Sequence, residues 1–507
     1  MGNAINYAQR RLCKPFSSLN QTPRFQRYMK YHSTEGPKDG LTWIGGVCVT
    51  INLLMGSGFL ALPRAVEESG LLLAPAVLVG AVLLLRTTGL YEAEIMCRAE
   101  AVVAAQLQPR RKTIMQKTPQ DAMKLKQHAY SMVELCEIFG GTGLTRLYVG
   151  LITFYLLCCC TGYAVVFAAA LSAYVPLPWA NAGCTCQGGT AAGCADLRDQ
   201  FVLLFALAAL PLSLIGVKEQ ATFQATMTVA RVAVATVMVG SCVWAAGTGD
   251  QLFGNEYGNP GQYGPAETGL ANWGGLLTVV PLALFSQNIN AYIALVVGDL
   301  RCKAHLGSVV TAGMLVTCGF YALIGCSVAY YFGPEVAPTA NVMWETFGAA
   351  EGGVLRGAGL FVLLFPALDV VGIFPLNAIA AAQNLMAATY HDRMDKAESD
   401  KFIVRFFRLV TSLTPILLAL FVGSNLDTVL CYAGTCAVLI CMIIPPFLNL
   451  KSQKYVKEHL GFSNADTPFS GPMSKPAVLK SLMGVGALLF CFVFVNTTFQ
   501  QFFQRQH

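Results

Sequence analysis

Long apolar runs alternate with short polar connections along most of the chain. Eleven runs reach the roughly 17–25 residues a helix needs to cross a hydrocarbon core. They are Thr42–Ala65, Leu71–Cys97, Thr145–Val175, Phe201–Val217, Thr222–Gly247, Trp273–Val297, Gly307–Phe332, Val354–Ala388, Phe407–Gly423, Val429–Leu450 and Pro476–Asn496. The pattern therefore predicts an all-α polytopic membrane protein, with a polar tail over 1–41 and a short tail over 497–507. The first 41 residues are basic and lack the apolar core of a signal peptide. Met1-Gly2-Asn3 opens like a myristoylation signal, but Asn6 stands where Ser or Thr is expected.

Composition sharpens the class. Apolar residues make up 55% of the 507 positions and charged residues 12%, about half the ~25% of soluble domains. A soluble enzyme with so few charges would expose a sticky surface. The net charge of +6 is too mild and too dispersed for nucleic-acid binding. No HExxH or G-x-S-x-G motif and no histidine within a run speaks for catalysis or a metal site, and no cofactor is expected.

Charge also sets an expected orientation. With the N-terminus cytosolic, the segments 1–41, 98–144, 218–221, 298–306, 389–406 and 451–475 carry nearly all the extramembrane Lys and Arg. The opposite loops carry one basic residue, Arg198, and many acids, as the positive-inside rule demands. His507 then lies on the far side, and Trp179, Trp244, Trp273 and Trp344 fall near that interface, where aromatic belts sit. Most of the 18 cysteines fall in or beside the runs, where they read as packing residues. Cys184, Cys186 and Cys194 face the oxidising side, and a structural disulfide from Cys194 to Cys184 or Cys186 is expected. Zinc is the weaker alternative, because three thiols without histidine leave the shell incomplete.

Two runs carry helix-breaking chemistry. The first holds Gly56-Ser57-Gly58, and the sixth holds Pro281 followed by Ser286-Gln287-Asn288 and Asn290. Unwound backbone at membrane depth is tolerated only where it lines a cavity or is buried in protein. Spans one and six are corresponding members of two five-helix halves, 42–247 and 273–450, followed by an extra helix over 476–496. Paired breaks at such positions point to a transporter site built on inverted repeats. Freed N–H groups after the first break suit a carboxylate, and freed carbonyls in the sixth suit an ammonium group. The bland alternative is a glycine kink for tight helix packing.

These residues resemble the amino acid/auxin permease family, part of the amino acid-polyamine-organocation superfamily. Asn52, Gly56-Ser57-Gly58, Leu60 and Leu62-Pro63 resemble its opening motif. Pro281 to Phe285 with Asp299-Leu300, Tyr321 to Gly333, Val371-Gly372-Ile373-Phe374-Pro375, and Leu430 to Leu450 resemble its later spans. The resemblance implies a leucine-transporter-type fold, five plus five helices and one extra, and secondary active transport of amino acids by alternating access. It implies substrate contacts at Gly56, Ser57 and Gly58 and an ion-coupling role near Asn52. Phe285, Ser286 and Asn288 at the sixth break are further candidate substrate-binding residues, although Ser286-Gln287-Asn288 departs from the small and aromatic residues usual in the family there. Sodium-coupled members carry a threonine upstream of the span-eight motif, where this chain reads Ala367-Leu368-Asp369. The expectation is therefore a neutral amino acid substrate with H+ favoured over Na+. An amino-acid sensor signalling through the cytosolic segments is the alternative function, and the plasma membrane and the vacuolar or lysosomal membrane are the candidate locations.

Intramembrane charge adds two further candidates. Asp369 lies well inside span eight, at a cost of about 2.5–3.5 kcal/mol on the insertion scale unless it faces a cavity or a partner. Arg231 lies about 13 Å into span five at the helical rise. An Arg231–Asp369 inner gate is one reading, and two unrelated residues, Arg231 snorkelling and Asp369 bonded to backbone, are the other. As the carboxylate deepest in a span, Asp369 is also the expected carrier of the coupling proton. Arg86, Glu92 and Glu94 are expected to snorkel or anchor at the inner end of span two.

Overall fold

The computed structural model describes residues 41–107, 123–125, 129–175, 191–215, 221–248, 252–253, 268–337, 339–349, 352–390, 397, 399–422 and 433–504. Within these, regular structure is helical apart from one parallel bridge between Leu41 and Leu300. Ten helices are long and apolar enough to cross a membrane, and a bent pair, Trp43–Leu54 with Gly58–Ser69, makes an eleventh span. Each expected run carries one of them. The chain is an all-α polytopic membrane protein.

Several helices outrun their apolar stretches. Span two continues to Leu107, span four begins at Ala191, span ten continues to Leu460 and span eleven ends at Gln504. Hydropathy marks where lipid is met, whereas a helix persists while its i→i−4 bonds hold. Span ten stops at Gly461, whose left-handed φ of 71° suits glycine.

Spans one and six are both interrupted, at the Gly-Ser-Gly motif and at the polar cluster that follows Pro281. Span one is helical over Trp43–Leu54, capped by Thr42, whose Oγ1 accepts from Gly45 N at 3.2 Å. The chain then extends at Gly56, makes a 3-10 turn over Ser57–Leu60 and resumes over Leu62–Ser69. Span six is helical over Leu276–Ser286, opens over Gln287–Ile289, turns at Asn290–Tyr292 and resumes over Ile293–Asp299. Span seven, Leu306–Phe332, packs along both halves of span one. At Gly313 a Cβ would stand 2.5 Å from Thr50 Cγ2, so only glycine lets the two backbones approach this closely.

Span ten carries a π-turn over Leu439–Ile443, directly before Pro445 and Pro446. Proline cannot donate to the carbonyl four residues back, so Pro445 leaves the Cys441 carbonyl without its helical partner. Asn290 Nδ2, from the break in span six, donates to that carbonyl at 3.4 Å.

Three sequence expectations are corrected by burial. Glu92 and Glu94 do not snorkel; each is 1% exposed, buried where span two packs within the bundle. Glu94 pairs with Arg98 at 2.7 Å and accepts hydrogen bonds from Ser470 and Ser474. Arg98 in turn reaches Asn449 and the Ala465 carbonyl, which staples 461–475 to spans two and ten. Arg86 is half-buried and donates to Thr311 Oγ1 at 2.6 Å. Trp344 is not a lipid-facing belt residue either. It is fully buried beside Phe253 and Phe332, with Nε1 donating to Ser241. Trp244 and Trp273 do lie on the exposed surface, while Trp179 is outside the described residues.

Candidate functional site

The two breaks face each other across a cavity of about 60 Å³. One water needs about 10–15 Å³ by this measure, so there is room for a small ligand group. Its walls include Asn52, Gly56 and Gly58 from span one, and Phe285, Ser286, Asn288 and Tyr292 from span six. Span three contributes Tyr155 and Tyr163, span five Arg231, span seven Tyr321, and span eight Ile373 and Asn377.

The first break leaves backbone groups in the wall. Gly56 has extended backbone, and the Leu54 carbonyl accepts from Tyr321 Oη at 2.7 Å and from Gly56 N at 2.9 Å. The turn that follows presents N–H groups, because the first residues of any helix lack intrahelical acceptors. The glycines keep that surface open. A Cβ at Gly58 would sit 3.5 Å from Ser286 Cβ, and one at Gly56 would sit 3.5 Å from Ile373 Cδ1.

Beside the glycines is a buried charge pair. Arg231 Nε donates to Asp369 Oδ1 at 2.6 Å, with both side chains 1–2% exposed. Arg231 Nη1 reaches Asn52 Oδ1 at 2.8 Å and the Asn52 carbonyl at 3.4 Å. Thr228 Oγ1 also donates to Asn52 Oδ1, at 2.5 Å. One guanidinium thus joins spans one, five and eight. Its fork is half made, since Arg231 Nη2 and Asp369 Oδ2 have no hydrogen-bond partner. Burial at this level leaves no room for a snorkelling Arg231.

The structure therefore gathers Asn52, Gly56, Gly58, Phe285, Ser286, Asn288 and Arg231 around one cavity, with Asp369 bonded behind the arginine. Ser57 and Cys194 are described by backbone alone, in the 3-10 turn and in span four. Cys184 and Cys186 lie outside the described residues.

Sequence reasoning missed the polar aromatic side of the cavity. Tyr292 Oη donates to Asn377 Oδ1 at 3.0 Å, and Asn377 Nδ2 donates to Tyr163 Oη at 3.2 Å. A polar-tipped ring inside an apolar run is the signal that could have found Tyr155, Tyr163 and Tyr321. It does not say which face of the helix the ring takes.

Two broken helices around a small polar cavity match a binding site at the midplane of a membrane transporter. No curated relative matches the chain at a significant level. The family model described as transmembrane amino acid transporter protein matches residues 39–466, from the first span through the tenth, and the chain belongs to that family of amino acid transporters.

Proposed function

We propose that the cavity binds one neutral amino acid as a zwitterion and carries it by alternating access, as a secondary active transporter. The observation that carries this reading is the meeting of the two breaks around one cavity. Backbone N–H groups from Gly56 to Gly58 receive the substrate carboxylate, helped by the local helix dipole. Carbonyls freed at the sixth break receive the ammonium group, and Phe285, Ser286 and Asn288 border the side chain. The two five-helix halves, 42–247 and 273–450, rock about this point as inverted repeats.

Arg231 supports proton rather than sodium coupling. Its guanidinium already takes Asn52 Oδ1 and the Asn52 carbonyl, together with Asp369 Oδ1. These are the hard oxygens that a coupling cation between spans one and eight would need. The Arg231–Asp369 pair serves as a gate that holds spans one, five and eight together in this conformation. Loop charge favours a cytosolic N-terminus.

Counterflow tests the reading. Liposomes holding the purified protein and unlabelled amino acids should take up a 14C-labelled mixture of the twenty, with sodium or with choline. Binding without exchange would make the protein a sensor instead.

A further inference from the structure

Fully buried polar atoms without partners collect at the junction of span two, the break in span six and the π-turn of span ten. Glu92 Oε2, Asn288 Nδ2 and Asn290 Oδ1 are all of this kind. Asn288 and Asn290 are linked by contacts that start at the substrate cavity. Asn288 lines the cavity, and its Oδ1 accepts from Cys441 Sγ at 3.0 Å and from Asn290 N at 3.2 Å. Asn290 Nδ2 donates to Thr88 Oγ1 at 2.8 Å. Thr88 and Glu92 are four residues apart on span two, one helical turn, and so share a face.

We infer that Glu92 is the proton-carrying carboxylate of the transport cycle, loaded and unloaded through the polar junction formed by Asn288, Asn290 and Thr88. This rests on the proton-coupled reading above and changes which residue carries it. Asp369 is held by a guanidinium and cannot take a proton without giving up that partner. Glu92 has no cation beside it among the described residues. Among the described residues, the titratable groups that interact with it are the Cys136 and Cys441 thiols and the Tyr148 hydroxyl, from the 136–140 turn, span ten and span three.

A carboxylate without a counter-charge in such a place is held uncharged, because desolvation disfavours the ion. Release of its proton therefore requires water to reach it, and that requires the junction to open. Two walls of the junction depart from the regular α-helix, the span-six break and the π-turn, and such irregular segments are where a packed bundle can rearrange. Because Asn288 belongs both to the junction and to the cavity, a substrate that moves the sixth break also moves the door to Glu92. The proton bound at Glu92 Oε2 then leaves to water on the opposite side, and the carboxylate is reprotonated when the cycle returns.

The test uses the full-length protein in liposomes, a 14C-labelled mixture of the twenty amino acids, and an alkaline lumen. Wild-type protein should concentrate label in the lumen and acidify it, read by trapped pyranine. Glu92→Gln should keep counterflow, lose accumulation down to equal concentrations on the two sides, and show exchange that no longer varies with pH. Glu92→Asp should restore accumulation. As a reading that needs no variant, dicyclohexylcarbodiimide, which reacts with protonated carboxyls in apolar surroundings, should modify Glu92 in the wild type and abolish accumulation. Normal accumulation by Glu92→Gln, or loss of accumulation by carbodiimide with Glu92 unmodified in peptide maps, overturns the assignment. Wild-type counterflow without any response to the pH gradient overturns proton coupling itself, and Glu92 with it. Accumulation lost in Asp369→Asn but kept in Glu92→Gln returns the proton to Asp369.

Discussion

Arg231 Nε and Asp369 Oδ1 stand 2.6 Å apart in the interior of the helix bundle, 138 positions apart in the chain. The same guanidinium reaches Asn52, immediately before the first helix break. The pair is therefore tied to the helical half of span one that leads into the glycines bordering the cavity. The pair joins spans five and eight.

Breaking that pair should be costly. Asp369→Asn leaves Arg231 buried without a counter-charge, and removal of one partner of a buried pair costs about 3–5 kcal/mol. Thermal unfolding of the purified protein should fall clearly below wild type, and the double change Arg231→Met with Asp369→Leu should recover most of the loss. Wild-type stability in Asp369→Asn would show that the arginine has another partner.

The glycine surface makes a different prediction, about function rather than folding. A Cβ at Gly56 or Gly58 meets its neighbours at ordinary contact distance, 3.5 Å. Gly56→Val and Gly58→Val should thus be expressed and monodisperse by size-exclusion chromatography, yet fail in counterflow. The added branch would take the space proposed for the substrate carboxylate. Normal exchange by a well-folded Gly58→Val would remove the first break from the binding site.

Two ion pairs on the same side of the bundle should differ sharply. Arg98–Glu94 is 1% exposed on both sides and holds 461–475 in place, whereas Lys454–Glu458 is 74% and 55% exposed. Arg98→Ala should cost about 3–5 kcal/mol through the unpaired Glu94. Lys454→Ala should cost about 1 kcal/mol or less. Thermal melts of both variants under one detergent condition decide it, and equal shifts would contradict the burial argument.

Orientation and ion dependence can be read in cells. In sealed cells an impermeant thiol reagent should label Cys184 after reduction and leave Cys13 unlabelled, judged by peptide mass spectrometry. For a protein at an internal membrane the same pattern is expected in everted vesicles of that membrane. Substitution of sodium by choline should leave amino acid uptake unchanged. Labelled Cys13 overturns the orientation, and uptake that collapses without sodium overturns the coupling ion.

Much of the fold was legible in the chain because membrane helices obey a short list of local rules. A run of about 20 apolar residues must close its own backbone hydrogen bonds in lipid, so length and hydropathy alone determined the spans. Gly56-Ser57-Gly58 and the polar cluster after Pro281 marked the breaks for the same reason. Which polar groups in the spans meet one another was not a local property. Glu92 and Glu94 look alike in sequence, two positions apart near the end of an apolar run. Only packing shows that Glu94 is neutralised by Arg98 while Glu92 lies near Cys136, Tyr148 and Cys441 with no cation among the described residues. Likewise Tyr163, Tyr292 and Asn377 become one hydrogen-bonded chain because three separate spans bring them together. The sequence by itself determined the helices and their breaks, since backbone satisfaction in lipid is settled residue by residue. The tertiary structure decided which buried charges are paired and which stand alone, since that depends on side chains brought together from distant parts of the chain.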